Sequence, residues 1–344
     1  MVVAGGLSLD GIISQMRIVP IMKVIDQASL VDRGRRRILG AAAAALWLAG
    51  CATPPPSPPL QLPQPPAPAP EPPAPPPTRP PRVGLALGGG AARGFAHVGV
   101  IQVLQREGIR PDLVVGTSAG SLVAALYAHG MDGAALQQAA LQMEEAMIAD
   151  WTVPLFNRGL LRGEALARYV NQMVQGRLIE HAALPLGIVA TDLVSGQGVV
   201  FRRGDTGTAV RASSAVPGVF SPVPIGGRTY VDGGLVAPVP VQQAREMGAE
   251  LVIAVDISSP PQALPQTDPV RVLLQTFTIM GQSINRHLLA QADVVVRPAL
   301  DGVGSADFAA RERSIAAGRS AMQAALPRLR ERLQALRQPL VANR

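Results

Sequence analysis

Ser118 lies in a sequence pattern that can expose a nucleophilic hydroxyl. Glycines stand two residues before and after it, in GTSAG at residues 116–120, between a short β-branched run and an alanine-rich apolar run. This G-x-S-x-G pattern is typical of a nucleophile elbow, a strained strand-to-helix turn that needs neighbours without side chains. The helix that follows would direct its free N–H groups and positive end at developing negative charge. The alternative interpretation is a serine that caps an ordinary helix after a glycine turn.

A glycine-rich segment supplies a second candidate site. Residues 88–94 read GGGAARG, follow a predicted strand at 83–87 and lead into a helical pattern that ends at Gly108. Such a loop can bind an anion, either a phosphate or the oxyanion of an acyl-transfer intermediate. A dinucleotide site needs an acidic residue at the end of the next strand, but that strand leads to Ser118. We therefore expect an oxyanion hole with N–H donors near Gly89 and Gly90. Arg93 is a candidate contact for a phosphorylated head group, or else a surface arginine.

A hydrolytic serine also needs a base. Of the four histidines, only His287, preceded by Asp232 or Asp256, fits the Ser, Asp, His order of α/β-hydrolases. His287 falls inside a predicted helix, however, and His97 is expected to pack or cap at the start of the glycine-loop helix. Asp232 follows a predicted strand and precedes two glycines, which allow close backbone approach. A carboxylate that touches the serine hydroxyl can act as base without an imidazole, although Asp-Gly-Gly can also be only a turn.

The motifs GGGAARG, GTSAG and DGG, in this order and at these spacings, resemble those of the patatin-like phospholipase family. The resemblance covers residues 83–298 and includes VRASSAVPGVFSPV and VDGGLVAPVPVQQAREMGAELVIAVDIS. It implies a three-layer α/β/α sandwich with a mainly parallel central sheet, and a Ser/Asp dyad that hydrolyses lipid acyl esters through an acyl-enzyme without a cofactor. Ser118 would be the nucleophile, Asp232 the base and the amides of Gly88, Gly89, Gly90 and Ala91 the oxyanion hole. The loop departs from the family pattern G-G-G-x-R-G, because Ala91 stands where a glycine is expected.

The elements that must position these residues alternate between strands and helices. Short apolar strands are predicted at 83–87, 112–115, 186–191, 251–257 and 294–297, and this alternation predicts an α/β fold with a mainly parallel sheet. A turn at 195–198 predicts a hairpin between 186–191 and 199–202. We further expect extended chain at 224–231, helices at 131–149 and 272–290, and an amphipathic helix at 311–337 that is interrupted at Pro327. The apolar residues of 151–161 are interpreted as core or as an apolar approach to the site.

The first 82 residues are expected to export and tether a folded domain. Four arginines at positions 33–37 precede an apolar run at 38–50 and then Cys51, the arrangement of a secretory signal. Residues 48–51, LAGC, resemble a bacterial lipobox, which implies lipidation of Cys51; a membrane anchor with an incidental cysteine is the alternative. The signal region would be 1–50, and its unusually long n-region indicates either an over-extended start or a segment that impairs export. Residues 54–81 contain 17 prolines in 28 positions, which predicts a polyproline tether at 51–82.

Composition limits the partners. The net charge is +7, but there is one lysine, the arginines are scattered and no aromatic residues interleave with them, so we expect no nucleic acid partner. His, Cys and carboxylates do not cluster at ligand spacing, so no metal is expected. The predicted organisation is a catalytic domain at 83–300 with a helical extension at 301–344 packed on it. The predicted partners are a lipid or phospholipid substrate and, through Cys51, the membrane of a bacterial cell envelope. The alternatives are a Ser-His-Asp esterase and a nucleotide-binding or non-catalytic envelope lipoprotein.

Overall fold

A computed structural model describes residues 78–144, 161–261 and 269–339 of the 344-residue chain. The signal region, Cys51, the proline-rich residues up to 77 and the apolar segment 151–160 lie outside the described residues. The strands are β1 (Thr78–Arg79), β2 (Val83–Leu87), β3 (Leu113–Thr117), β4 (Leu186–Asp192), β5 (Gly198–Phe201), β6 (Val223–Ile225), β7 (Arg228–Asp232), β8 (Leu251–Val255), β9 (Val294–Val296) and β10 (Gln338–Pro339). The helices are α1 (Ala96–Arg106), α2 (Ala119–Ala128), α3 (Gly133–Gln142), α4 (Glu164–Met173), α5 (Thr206–Ser213), α6 (Val241–Glu246), α7 (Pro269–Leu289) and α8 (Arg311–Ala335).

Five parallel strands form the centre of the molecule, in the order β4-β3-β2-β8-β9. Their side chains are almost entirely apolar and buried on both faces, as expected when helices cover a parallel sheet on both sides. Leu85 and Leu87 of β2 pack with α1, α2 and α8, whereas Ala86 packs with α6 and the end of α7. The predicted three-layer α/β/α architecture with a mainly parallel sheet is therefore confirmed.

One edge of β4 is shared by two strands that meet end to end. β5 runs antiparallel along one edge of β4, so β3 and β7 must both lie on the other. β3 pairs with β4 up to Thr117, which lies opposite Val189. The antiparallel β7 pairs with the following residues of β4, and its last residue, Asp232, lies opposite Ala190. Because Val189 and Ala190 are adjacent, the carboxyl ends of β3 and β7 converge at one point of the sheet.

Two predicted elements differ from the structure. Residues 224–231 are not one extended segment but the hairpin of β6 and β7, turned at Gly226 and Gly227 with φ of +57° and +78°. Paired positive φ values are those of a type I′ turn, which two glycines permit. The closing helix is not interrupted at Pro327, because α8 continues through it. Pro327 lies on the exposed face, where water can satisfy the carbonyl left without an N–H donor, while Met322, Leu326 and Leu329 pack inward.

The helix predicted at 131–149 is shorter within the described range. α3 begins after Asp132, whose carboxylate caps the Ala135 N–H, and ends at Gln142, while residues beyond 144 lie in the undescribed stretch. No helix in the described ranges has the combined length and apolarity that crossing a bilayer requires.

The C-terminal helix is packed directly onto the first helix of the sheet. A Cβ on Gly99 of α1 would overlap the carbonyl oxygen of Ile315, and one on Gly318 of α8 would overlap that of Ala96. The two helices therefore cross with their backbones in contact. β1 pairs with β10, so residues 78–79 and 338–339 are held together at the margins of the described chain.

Candidate active site

The backbone at Ser118 has the strained conformation that the glycine pattern predicts. Ser118 follows β3, precedes α2 and has φ of 52° and ψ of −125°. A Cβ on Gly116 would overlap the backbone of Gly120, and a Cβ on Gly120 would overlap the carbonyl oxygen of Leu87. The turn therefore requires both glycines, and it lifts Ser118 out at the carboxyl edge of the sheet.

Polar contacts from three other segments fix the elbow. The Ser118 N–H donates to Ser213 Oγ at 2.9 Å, and Ser213 Oγ donates to the Val189 carbonyl at 2.5 Å. On the other side, Thr117 Oγ1 donates to the Ala237 carbonyl at 2.8 Å. Ser213 links the elbow to β4, a role that the sequence analysis missed, although it stands in the quoted run VRASSAVPGVFSPV.

Asp232 lies at the end of β7, next to Ser118. Its carboxylate accepts a hydrogen bond from the Gly234 N–H at 2.6 Å, and the Ser118 hydroxyl is near enough to lower the pKa of the carboxyl group. Its backbone carbonyl accepts from Thr191 Oγ1 at 2.8 Å, which anchors the residue to β4. The structure thus brings together the two residues that the sequence placed 114 positions apart (232 − 118).

Burial changes the acidity of this carboxyl group. Asp232 is only 7% exposed, and desolvation raises its pKa to about 6, partly opposed by the Gly234 amide and the Ser118 hydroxyl. At neutral pH the group is mostly ionised. It is therefore a stronger base than a solvent-exposed aspartate and can still accept a proton from a hydroxyl.

The glycine loop offers fewer free amides than predicted. The Gly88 N–H donates to the Val255 carbonyl at 3.1 Å and the Gly89 N–H to the Pro238 carbonyl at 2.9 Å. These two amides are therefore committed to the backbone, which corrects their expected place in the oxyanion hole. The N–H groups of Gly90 and Ala91 have no acceptor in the described part of the chain.

Ala91, which stands where the family pattern has a glycine, keeps a backbone conformation that glycine favours. Its φ is +51°, in the left-handed region that favours glycine, so alanine adopts here a conformation that a glycine would adopt without strain. The loop lies against the elbow, because a Cβ on Gly89 would be 3.1 Å from the Ser118 Cβ. The free amides are therefore close to the serine.

His97 holds the glycine loop in place. The residue is fully buried, and burial lowers its pKa to about 4, so the imidazole is neutral. Since a carbonyl oxygen only accepts, the contact of 2.8 Å between His97 Nε2 and the Gly88 carbonyl makes Nε2 the protonated nitrogen. His97 is thus a positioning residue for the loop.

Arg93 is a buried cation beside this loop. It is 9% exposed, and its Nε donates to the Gly90 carbonyl at 3.3 Å. No carboxylate in the described ranges forms an ion pair with it. The nearest acidic influence is Asp256, which is itself paired with Arg297 at 3.2 Å. Desolvation lowers the pKa of the guanidinium, so a bound anion would be favoured.

A cavity of about 530 Å³ connects these groups. Ser118, Asp232, Arg93 and the glycine loop line one side, and α7 lines the other with the side chains of Leu274, Phe277, Thr278, Met280 and Asn285. Asn285 is 3% exposed, and neither atom of its amide has a hydrogen-bond partner in the described part of the molecule. No sequence motif predicted that α7 contributes to the site.

The histidine alternative lacks the required geometry. His287 is exposed on α7, its Nδ1 contacts the Ser283 carbonyl at 3.1 Å, and it is absent from the described residues that line the cavity. Asp256 is occupied by Arg297 and Ser258. Neither group is in place to form a triad with Ser118.

The fold and the site together define a class of protein. A three-layer α/β/α domain, with a strained serine at the edge of its parallel sheet beside a glycine loop, is the architecture of patatin-like proteins. Comparison of the chain with known proteins agrees, since residues 85–245 match the family model described as patatin-like phospholipase. This region of the chain, residues 85–245, is a domain of the patatin-like phospholipase family.

The alignments with individual relatives cover only part of this chain and part of each relative. An uncharacterized NTE family protein of Mycobacterium tuberculosis is 37% identical over 178 residues, which cover 52% of this chain and 49% of the relative. Patatin-like phospholipase domain-containing protein 6 of Mus musculus is 36% identical over 185 residues, or 52% of this chain and 14% of that protein. The crystal structure of VipD from Legionella pneumophila aligns with a TM-score of 0.49 at 14% identity, over 73% of this chain and 67% of VipD. The chain thus spans about half the length of the mycobacterial relative.

Proposed function

We propose that this protein hydrolyses carboxylic esters of lipids with a Ser118/Asp232 dyad. The observation that carries the proposal is the position of Ser118 and the buried Asp232 carboxylate, which lie close enough for the hydroxyl to influence the pKa of Asp232 and share the wall of a cavity large enough for an acyl chain. Membership of residues 85–245 in the patatin-like phospholipase family supports the same class of reaction.

The proposed mechanism has two stages. Asp232 takes the proton of Ser118 while Oγ attacks the acyl carbonyl, and the N–H groups of Gly90 and Ala91 stabilise the oxyanion. The tetrahedral intermediate then collapses, the alcohol leaves with the proton from Asp232, and Ser118 keeps the acyl group. Water, deprotonated by the same carboxylate, attacks the acyl-enzyme, and collapse of the second intermediate releases the fatty acid and restores the serine.

The cavity wall favours a phospholipid among lipid esters. The apolar side chains of Leu274, Phe277 and Met280 can contact an acyl chain, and Arg93 has no carboxylate partner in the described chain. We propose that Arg93 contacts a head-group phosphate. Replacing it with Met would then raise KM for a phospholipid more than for an uncharged glyceride.

We also propose that the protein is a lipoprotein of a bacterial cell envelope, anchored through lipidated Cys51. The basic, apolar and lipobox segments of residues 33–51 support this placement. Labelling of cells with radioactive palmitate should mark the wild-type chain and leave Cys51→Ala unmarked. Equal labelling of both would contradict the proposal.

Hydrolysis of a panel of soluble and long-chain esters tests the enzymatic proposal. Wild type and His287→Ala should be equally active, while Ser118→Ala and Asp232→Asn should lose at least about a thousandfold in kcat. Full activity of Asp232→Asn, or inactivity of His287→Ala, would contradict the dyad.

A further inference from the structure

Helix α7 presents an apolar surface to solvent, although it also forms a wall of the cavity. Within its 21 residues only Asn285 and Leu289 are buried. Val272, Ile279 and Met280 are 46%, 54% and 49% exposed, and Val270 and Leu273 are each 37% exposed. Val272, Leu273, Ile279 and Met280 lie on one side of the helix and are called the outer face of α7. Exposed apolar side chains concentrated on one helix mark a binding surface more often than a feature of the monomer.

The hydroxyl groups of two threonines in α7 donate to carbonyls of the same helix. Thr276 Oγ1 donates to the Val272 carbonyl at 2.9 Å, and Thr278 Oγ1 donates to the Leu274 carbonyl at 3.0 Å. Threonines that return their hydrogen bond to their own helix present only a methyl group outward. The polar groups of this turn are therefore already satisfied for an apolar environment.

The outer face is continuous with the entrance to Ser118. Met280 belongs to the outer face and also lines the cavity, and Leu274 lines it one position after Leu273. A Cβ on Gly218 would lie 2.9 Å from Leu273 Cδ2, so the helix lies against the Val216–Gly218 turn, two residues of which border the cavity. A surface in contact with the outer face would thus also meet the cavity.

The charges of α7 fit an anionic partner. The helix carries Arg271 and Arg286 and has no acidic residue between 269 and 289. α7 does not have the combined length and apolarity needed to span a bilayer. A helix with an apolar side and basic residues suits the interface between head groups and acyl chains.

We propose that α7 docks the protein on the surface of an anionic phospholipid bilayer, with its outer face in the interfacial layer and the cavity open toward the lipid. The inference rests on the proposed lipid-ester hydrolase function, because it describes how the cavity with Ser118 gains access to a lipid that is part of a bilayer. Its test does not depend on turnover.

A fluorescent probe at position 279 tests the docking. The chain has one cysteine, so the full chain with Cys51→Ala, Ser118→Ala and Ile279→Cys can be labelled at a single site with an environment-sensitive fluorophore. The matched control carries Leu141→Cys, at an apolar residue of α3 that is 37% exposed and does not line the cavity with Ser118. Vesicles of phosphatidylcholine with phosphatidylglycerol should shift the emission at 279 to the blue and leave that at 141 unchanged.

Other outcomes overturn the inference. Unchanged emission at 279, or equal shifts at both positions, would show that α7 does not enter the bilayer. A blue-shifted probe at 279 without vesicles would assign the outer face to another occupant: a second copy if the shift grows with protein concentration, or a segment of the same chain if it does not.

A kinetic experiment separates docking from catalysis. Val272→Ser with Ile279→Ser should lower hydrolysis of anionic vesicles by about tenfold or more, because two apolar side chains no longer enter the interface. Hydrolysis of a soluble short-chain ester should not change, since neither residue lines the cavity. Equal activity on vesicles would overturn docking alone, whereas a parent chain inactive on every ester would refute the proposed function and leave the fluorescence result to decide docking.

Discussion

The chemistry proposed for Ser118 depends on the burial of one carboxylate. Asp232 accepts a hydrogen bond from the Gly234 amide and lies near the Ser118 hydroxyl, but desolvation outweighs both influences and raises its pKa to about 6. The group is thus a base whose protonation changes near the pH at which an enzyme works.

The pH dependence of activity should follow this group. The log of kcat/KM for a soluble ester should rise with pH, level off above about 6 and fall about tenfold per pH unit below it, because only the carboxylate can accept the proton. His287→Ala should keep the same inflection. An inflection near 4, or its loss in His287→Ala, would contradict the assignment.

The same burial predicts a stability gain in Asp232→Asn. The folded protein binds this proton more tightly than the unfolded chain, so the contribution of Asp232 to stability is fully present below pH ~4 and is lost as pH rises through about 6. Asparagine removes the buried charge. Urea unfolding at pH 8 should therefore show Asp232→Asn to be more stable by up to about 3 kcal/mol, and the advantage should shrink toward pH 4. A variant that is less stable at pH 8 would show that Asp232 is not desolvated.

Some site residues could be identified from the sequence and others could not. Ser118 and Asp232 lie in local motifs whose glycines indicate a strained turn and a close approach. Which amides of the glycine loop are free could not be predicted, because Gly88 and Gly89 donate to Val255 and Pro238, far along the chain. Asn285 could not be predicted as a site residue, because a single asparagine in a helical sequence forms no motif and its place beside the cavity depends on the fold.

At the scale of elements, the serine elbow depends on a close approach between the start of α2 and the start of the glycine loop. Gly120, in the first turn of α2, lies against the carbonyl of Leu87, where β2 passes into the glycine loop. The contact holds the serine elbow and the glycine loop together and leaves no room for a side chain at position 120.

Gly120→Ala should therefore lower the free energy of unfolding by about 1–3 kcal/mol, because the added methyl meets backbone that cannot move aside. Gly281→Ala is the matched control, since its methyl would lie 3.6 Å from Pro238 Cγ in an ordinary contact. It should gain about 0.5–1 kcal/mol from helix propensity. Both values come from urea unfolding followed by circular dichroism. Similar stabilities of the two variants would contradict the close approach.

The order of the elements was predicted well, and their pairing less so. Alternating apolar strands and helices indicate a parallel sheet, but they do not reveal that β3 and β7 end against each other on one edge of β4. That arrangement depends on the hairpin of β6 and β7, which the sequence analysis interpreted as one extended segment because the turn at Gly226 and Gly227 was missed. The convergence of Ser118 and Asp232 was thus inferred from motifs, and the sheet topology explains it.

At the scale of the whole molecule, the last helix supports the first. α8 contacts α1 backbone to backbone at Gly99 and Gly318, and Arg330 and Arg332 bind Glu107 and Asp293 at 2.6 Å. The carbonyl beside Gly318 is that of Ala96, which directly follows the 3₁₀ turn carrying Ala91 and Arg93. The C-terminal helix therefore supports the loop that holds the proposed oxyanion donors.

Gly318→Val should loosen this support. A side chain there must push α8 away from α1, which should lower stability by about 1–3 kcal/mol and reduce kcat on a soluble ester. Ala316→Val, on the exposed face of the same helix, controls for helix propensity and should lose roughly 0.5 kcal/mol with unchanged kcat. Thermal unfolding and steady-state kinetics measure both effects. Equal behaviour of the two variants would show that the α1 and α8 contact is dispensable.

The most direct test of the central claim is the rate at which Ser118 reacts with a fluorophosphonate, followed by intact mass. The account predicts one adduct per wild-type chain, located at Ser118, no adduct on Ser118→Ala, and labelling of Asp232→Asn slowed by at least about a hundredfold. Labelling of His287→Ala should match wild type. An Asp232→Asn chain that reacts as fast as wild type, or an adduct on another residue, would contradict the proposal that the buried carboxylate activates this serine.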